Sequence, residues 1–285
     1  MEADASTRSY YRGLWNGGEA LLADFGDDCD GLERFLHVGK LFASNGLRVP
    51  EVYAEEPDNN QIILEWVDAP RLSTRFWREE FEDSLLDAAE TVSSITEWGT
   101  GPDLLALDES RLRFELDFFL LHFVERFMNE GVTAGLKEAT ANLATHVAAF
   151  PAKLAHRDFH SDNVLLGRGG EIVLLDFQDA LTAPRCYDAA SLAVDCYRRQ
   201  DRSIATRFCK KWVVRTGIGE KEFNLTALQR ALKALGTFGY QVTARKAVRY
   251  LSYIAPTAKS ALALLDVAPW LADLRVVLDN ASRLA

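Results

Sequence analysis

The chain has 285 residues, 48% of them apolar and 26% charged, an ordinary globular mix that excludes disorder, collagen and coiled coil. Lys and Arg number 32 against 42 Asp and Glu, leaving a formal charge of −10, which argues against a general nucleic-acid or anionic-membrane surface. There is no apolar run of the roughly 18 residues a membrane span needs; the start, Met1-Glu2-Ala3-Asp4, is too acidic for a secretion signal; and Cys29, Cys186, Cys196 and Cys209 form no C-x-x-C pair. A cytoplasmic protein with reduced thiols is expected.

The first third reads as β-rich. Tyr10 to Trp15 and Glu19 to Asp24 are short apolar runs about Asn16-Gly17-Gly18, residues that tolerate positive φ and so predict a hairpin. Leu32 to Ser44 carries Leu32, Phe35, Leu36, Leu41 and Phe42 on one side of a helix, with Asp30 placed to cap its start and Asn45-Gly46 to end it. Glu51 to Ala54 and Gln61 to Trp66 predict a second strand pair, turning at Pro57-Asp58-Asn59-Asn60. The composition shifts at Val67-Asp68-Ala69-Pro70. Beyond it a 3.6-residue period runs through Phe81, Leu85, Leu86, Ala89, Val92 and Ile95, through Leu112, Leu116, Phe119, Phe123 and Phe127, and through Leu225, Leu228, Leu232 and Leu235. The expected organisation is a β-rich lobe over 1–66 and a larger helical lobe over 67–285, with a ligand cleft between them.

One interruption of the helical region carries chemistry. Asn163 to Leu166 and Ile172 to Leu175 read as a β-hairpin about Gly167-Arg168-Gly169-Gly170-Glu171. With the turn centred on Gly169-Gly170, Asn163 faces Asp176 across the ladder, about 4.5–5.5 Å away. Their side-chain oxygens can then share a hard cation such as magnesium, which takes a carboxylate or two plus phosphate oxygens. Asp158 lies five residues upstream, placed to receive a proton from an attacking hydroxyl. The set suits phosphoryl transfer. Any one of these residues also fits as an ordinary polar turn residue; the set does not.

His156-Arg157-Asp158-Phe159-His160-Ser161-Asp162-Asn163 resembles the H-x-D-x-x-x-x-N catalytic loop of the protein-kinase-like fold, with Asp176-Phe177-Gln178 in the place of D-F-G. The run from Asp176 to Ala180, followed by Pro184 to Leu192, is similar to the aminoglycoside phosphotransferase family. Only Ala180 to Ala183 separate the acidic motif from Pro184, too little for the long peptide-docking loop of protein kinases, so a small acceptor is expected. Asp4 to Arg12, Asp176 to Ala180, Ser191 to Tyr197 and Leu228 to Gly236 narrow the likeness to the anomeric kinases of N-acetylmuramate and N-acetylglucosamine used in peptidoglycan recycling.

That resemblance implies an α+β, two-lobed kinase-like fold, ATP and Mg2+ as cofactors, and a sugar acceptor phosphorylated at its C1 hydroxyl. It makes Asp158 catalytic and Asn163 and Asp176 the metal ligands. Arg157, His160, Gln178, Asp179, Asp195, Tyr197 and Arg230 become acceptor contacts, while His156 and Asp188 brace the loop. Leu64 to Val67 is the hinge, where the Glu65 carbonyl and the Val67 amide meet adenine. One departure stands out: the strand Ala20 to Asp24 lacks the usual phosphate-binding lysine. Arg8 and Arg12 are candidate replacements, since guanidinium binds phosphate bidentately, with Ser6 and Thr7 covering the phosphates. Each of these residues also has a plainer role open to it, as a solvated arginine, a cap or a core group. Two rival readings remain at the level of sequence: a kinase for an aminoglycoside, choline or amino alcohol, and a nucleotide-binding pseudokinase. Neither nucleic acid nor membrane is an expected partner, and a monomer suffices.

Overall fold

In a computed structural model the chain is described at residues 8–75, 79–98, 104–167, 169–197 and 202–284. Strands β1 (Ser9–Trp15) and β2 (Gly18–Asp24) pair antiparallel, Trp15 opposite Gly18. Asn16 and Gly17 take φ of +49° and +83°, the left-handed pair that a two-residue hairpin turn demands. Helix α1 (Cys29–Ser44) follows. Its cap is Asp28 rather than Asp30: the Asp28 side chain accepts the Gly31 amide at 2.9 Å, while Asp30 already sits inside the first turn, where an acid can only favour the dipole. Strands β3 (Val52–Glu56) and β4 (Gln61–Glu65) complete a four-stranded sheet in the order β1-β2-β4-β3. Leu32, Phe35, Val38 and Phe42 are buried on one side of α1, with the Phe25 and Phe35 rings 5.8 Å apart edge to face.

Helices dominate the remainder: α2 (Glu80–Ser94), then the two-residue strand β5 (Leu105–Ala106), α3 (Glu109–Phe119) and α4 (Ala134–Ala148). The period predicted through Phe127 breaks at Leu120–Glu125, where α3 widens into a π-helical turn. Strands β6 (Ala152–Ala155), β7 (Val164–Leu166), β8 (Ile172–Leu174) and β9 (Leu181–Pro184) are short. They make a β5-β9-β6 sheet and a β7-β8 hairpin. Helices α5 (Tyr187–Ala193), α6 (Arg202–Thr216), α7 (Glu220–Thr243), α8 (Leu251–Leu262) and α9 (Leu274–Ser282) close the chain. Among the described residues no helix is long and apolar enough to cross a membrane.

The hairpin's register differs from the expected one by a residue. Gly167 donates to the Glu171 carbonyl at 2.7 Å, and Leu175 donates to the Asn163 carbonyl at 2.9 Å. The turn therefore centres on Gly169, and Leu175, not Asp176, faces Asn163. Asp176 leaves the ladder in the left-handed region, at φ +60°.

Two contacts between helices set the position of the site. Gly236 and Gly239 let α7 cross the end of α3 at backbone distance: a Cβ on Gly239 would lie 2.5 Å from the His122 carbonyl oxygen, and one on Gly236 would lie 2.9 Å from the Phe119 Cα. Between α2 and α6, fully buried Glu82 is clasped by Arg207 at 2.6 Å and Lys211 at 3.2 Å, a charge paired on both oxygens as burial requires.

Candidate active site

The loop between β6 and β7 is fixed from below by two buried carboxylates. Asp188, in the first turn of α5, accepts the amides of His156 at 2.7 Å and Arg157 at 3.2 Å. Burial nonetheless pushes its carboxyl up to about 7, the two amides pulling the other way. Asp195 accepts the amides of Ser161 at 2.7 Å and Tyr197 at 2.9 Å. This bracing holds Arg157 at φ +77°, a left-handed conformation that costs a non-glycine residue about 1–3 kcal/mol. The His156 ring is fully buried between Phe159 and Phe42, centroids 5.5 and 6.0 Å away. Burial lowers its pKa to about 4, so it packs as a neutral ring. From the segment after β4, Ser73 donates to the Asp162 carboxylate at 2.7 Å and Arg71 pairs with the same residue; these two braces were not foreseen in the sequence.

Asp158 sits at the crest of this loop. Burial would raise its pKa, but Lys233, then Arg230 and Arg157, more than offset that and hold the carboxyl well below the usual range. Arg230 Nη2 lies 4.0 Å from Asp158 Oδ1. Asn163 donates its amide Nδ2 to the Asp158 carbonyl at 3.0 Å, which leaves its Oδ1 available to a ligand. The half-exposed Asp176 accepts Gln178 Nε2 at 2.9 Å, and Gln178 also reaches Asp179 at 3.3 Å. Asp179 faces Arg157 Nη1 at 3.6 Å. Gln178 thus bridges two acids, while Phe177, next to Asp176, is anchored on α1. Its ring lies 4.7 Å from Phe35 and 5.9 Å from Phe42, and Gly39 leaves room for it.

The two candidate phosphate arginines part company. Arg8 is mostly buried, 5.4 Å over the Phe25 ring, with Nη2 4.0 Å from Asp176 Oδ1. Arg12 lies 4.2 Å over Trp66 and pairs with Glu19 at 2.5 Å, so its charge is directed away from the acids. Ser6 and Thr7 lie outside the described residues. At the expected hinge, Glu65 takes its amide partner from the Glu51 carbonyl at 2.8 Å, and its side chain is held by Arg48 and the Glu51 amide. The Val67 carbonyl accepts the Ala69 amide at 2.9 Å.

On the far side of Asp158 is a cavity of about 140 Å³, bounded by His160, Asp195, Tyr197, Arg230 and Lys233. The His160 and Tyr197 rings lie 4.6 Å apart. Arg230 donates to Ser191 Oγ at 2.8 Å and Tyr187 Oη at 2.7 Å. Lys233 was missed at the level of sequence. Its signal was weak: a second cation three residues after Arg230, with no other charge from Ala231 to Gly239. A larger hollow of about 960 Å³ lies behind α1, against Arg48, Glu51 and Phe177, and contains neither Asp158 nor Asn163.

Among the described residues no three His, Cys, Asp or Glu side chains gather as a metal cage. The oxygens on offer are one amide, Asn163, and one exposed carboxylate, Asp176. That sparse set fits magnesium, which is bound through one or two protein oxygens with phosphate and water.

Residues 1–221 match the family model described as "Phosphotransferase enzyme family". The chain is a member of that phosphotransferase family. A protein of Pseudomonas aeruginosa named N-acetylmuramate/N-acetylglucosamine kinase is 28% identical over 262 residues, covering 83% of this chain and 74% of its own. Among solved structures, choline kinase LicA from Streptococcus pneumoniae superposes with a TM-score of 0.62 at 14% identity, over 93% of this chain and 89% of that one. The streptomycin–ATP ternary complex of APH(2″)-IIa gives 0.58 at 12% identity, over 87% and 88%. The phosphotransferase chain therefore has the two-lobed, protein-kinase-like fold that its loop motif resembles, and it is a kinase with a hydroxyl acceptor.

Proposed function

We propose that this phosphotransferase transfers the γ-phosphoryl group of ATP to the anomeric C1 hydroxyl of an N-acetylated amino sugar, N-acetylmuramate or N-acetylglucosamine, giving the sugar 1-phosphate. One observation carries the reading. Asp158, held ionised, contacts Asn163 through its carbonyl and borders a small cavity lined by Arg230 and Lys233 together with Asp195, His160 and Tyr197. Asp195, the wall's other acid, is engaged by the Ser161 and Tyr197 amides, so the cations Arg230 and Lys233 weigh against choline, amino alcohols and aminoglycosides, which bring positive charge of their own. The name of the Pseudomonas relative supports an acetylated amino sugar.

In this reading Asp158 orients the sugar hydroxyl and takes its proton. A carboxyl so acidic is a weak base, but an anomeric hydroxyl is more acidic than an ordinary alcohol, and the loose transition state of phosphoryl transfer asks little of the base until late. Asn163 and Asp176 would hold Mg2+, which when bound neutralises charge on the nucleotide phosphates. Arg8, rather than Arg12, is placed to grip those phosphates in place of the strand lysine. Glu65 and Val67 present backbone to adenine. The division falls at 66/67, nucleotide to the strand-rich side and acceptor to the helical side, in a monomer working in the cytoplasm where ATP is found. Phosphorus NMR of the product from each sugar tests the reading: a phosphate coupled to the anomeric proton is expected, and a 6-phosphate or no sugar phosphate overturns it.

A further inference from the structure

The two cations that share the cavity with Asp158 are held differently. Arg230 is fastened on three sides: Nε on Ser191, Nη1 on Tyr187 and the guanidinium 4.8 Å over the Tyr187 ring. Its remaining nitrogen faces Asp158 at 4.0 Å. Such an arginine is a fixture of the wall. Lys233, one turn further along α7, is 21% exposed and among the described residues has one ion pair, to Glu115 Oε1 at 3.4 Å. That is well beyond the ~2.7–2.9 Å of a charge-assisted hydrogen bond. Glu115 is meanwhile engaged through Oε2 by Gln229 at 2.7 Å. An ammonium carries three donors, so Lys233 keeps donor capacity facing the cavity. Burial, and then the neighbouring Arg230, push its pKa below the ordinary lysine value. Glu115 and Asp158 pull the other way, but among the described residues no carboxylate comes closer to Lys233 than the 3.4 Å of Glu115, so a carboxylate at the cavity wall would find ammonium donors not held in a short hydrogen bond.

We infer that Lys233 binds a carboxylate carried by the acceptor, and thereby sets a preference for an acidic sugar over its neutral counterpart; this deepens, and rests on, the acceptor reading above. The chemistry of N-acetylmuramate fits. Its acid arm is an ether on O3, and C1 and C3 stand two ring bonds apart, so a hydroxyl on Asp158 and a carboxylate on Lys233 belong to one edge of one ring. Arg230, fixed beside both, favours the ionised form of Asp158, while Glu115 and Asp158 favour the charged form of Lys233.

The test compares N-acetylmuramate with its methyl ester, which removes the charge and adds one methyl group at that arm, the Lys233 variants reporting the part that belongs to charge. Binding is measured by calorimetry on the full chain, and turnover on N-acetylglucosamine is measured separately. Wild type is expected to bind the acid at least about 10-fold more tightly than the ester, the size of one charged hydrogen bond. Lys233→Met should collapse that ratio to near unity and Lys233→Arg should restore most of it. Lys233→Gln, which keeps a donor for Glu115, replaces the methionine variant if that fails to fold. Equal affinity of wild type for acid and ester overturns the inference. So does an equal loss of both in the variant, which would place Lys233 on Asp158 or on phosphate instead. N-acetylglucosamine phosphorylated with no acid preference sinks Lys233 alone. An acid preference that disappears in the variant, with neither sugar phosphorylated, upholds Lys233 and sinks the anomeric reaction.

Discussion

Asp158 is surrounded by more positive charge than a strong base tolerates: Lys233, Arg230 and Arg157 together outweigh the burial that would otherwise raise its pKa. In the proposed reaction its value is then aim more than basicity. Asp158→Asn keeps the shape and removes the proton acceptor, so kcat is expected to fall about 10²–10⁴-fold, while nucleotide affinity, read by fluorescence titration, stays within a few-fold. Retained turnover would remove Asp158 from the mechanism. His156 makes a different prediction. Its pKa is lowered by burial from an ordinary 6.5 to about 4, so between those values the unfolded chain binds the extra proton and stability rises with pH. At pH 5 the neutral ring costs the fold about 2 kcal/mol relative to pH 7. His156→Phe, placed between Phe42 and Phe159, should lose less stability than wild type when urea midpoints are compared at pH 7 and pH 5. Parallel losses would mean that the ring finds a proton in the fold. Asp158, Asn163 and Asp176 stand out in the sequence as candidates because their spacing is short and their chemistry unusual. Lys233 does not, because one lysine on a long helix looks solvated until the fold turns that face toward Asp158.

At the scale of elements, the hairpins and the long helices were legible and their joins were not. Asn16-Gly17 announced β1-β2 because only that pair of residues suits two positive φ angles in succession. The β6 and β9 strands were invisible: each has four residues and finds its partner about thirty residues away, so no local pattern marks it. The β7-β8 register was misplaced by one residue because Gly167 to Glu171 offers glycines on both sides of the true centre, and backbone bonding, not composition, decides between them. The crossing of α7 over the end of α3 has the clearest mutational consequence. Gly→Ala in a helix interior normally gains up to about 1 kcal/mol in propensity. At Gly239 the new methyl would meet the His122 carbonyl at 2.5 Å, and backbone cannot yield as a flexible side chain does, so overpacking of about 1–3 kcal/mol should win. Because α7 carries Arg230 and Lys233, Gly239→Ala should also raise the acceptor KM more than the nucleotide KM. A stabilised variant with unchanged constants would show that the crossing has slack.

For the molecule as a whole, net charge was a poor guide to the site. A chain of −10 nonetheless gathers Arg8, Arg157, Arg230 and Lys233 around Asp158 and Asp176, beside the further acids Asp179 and Asp195, so the overall charge says little about the local one. The same centre ties the strand-rich part to the helical part: Asp176 touches Arg8 from the start of β1, and its neighbour Phe177 packs on α1. A nucleotide bound there should therefore stabilise the whole chain rather than one part of it. With an ATP analogue and magnesium at about 100 times Kd, mass action supplies about 2.7 kcal/mol, worth about 5 °C in Tm for a chain of this size. The shift should appear as one transition, shrink when EDTA removes the metal, and shrink again in Arg8→Ala while Arg12→Ala, whose charge is spent on Glu19 and Trp66, behaves more like wild type. A shift insensitive to both EDTA and Arg8 would move the phosphates away from Asp176, and a split transition would show that the strand-rich part takes the nucleotide without engaging the helices.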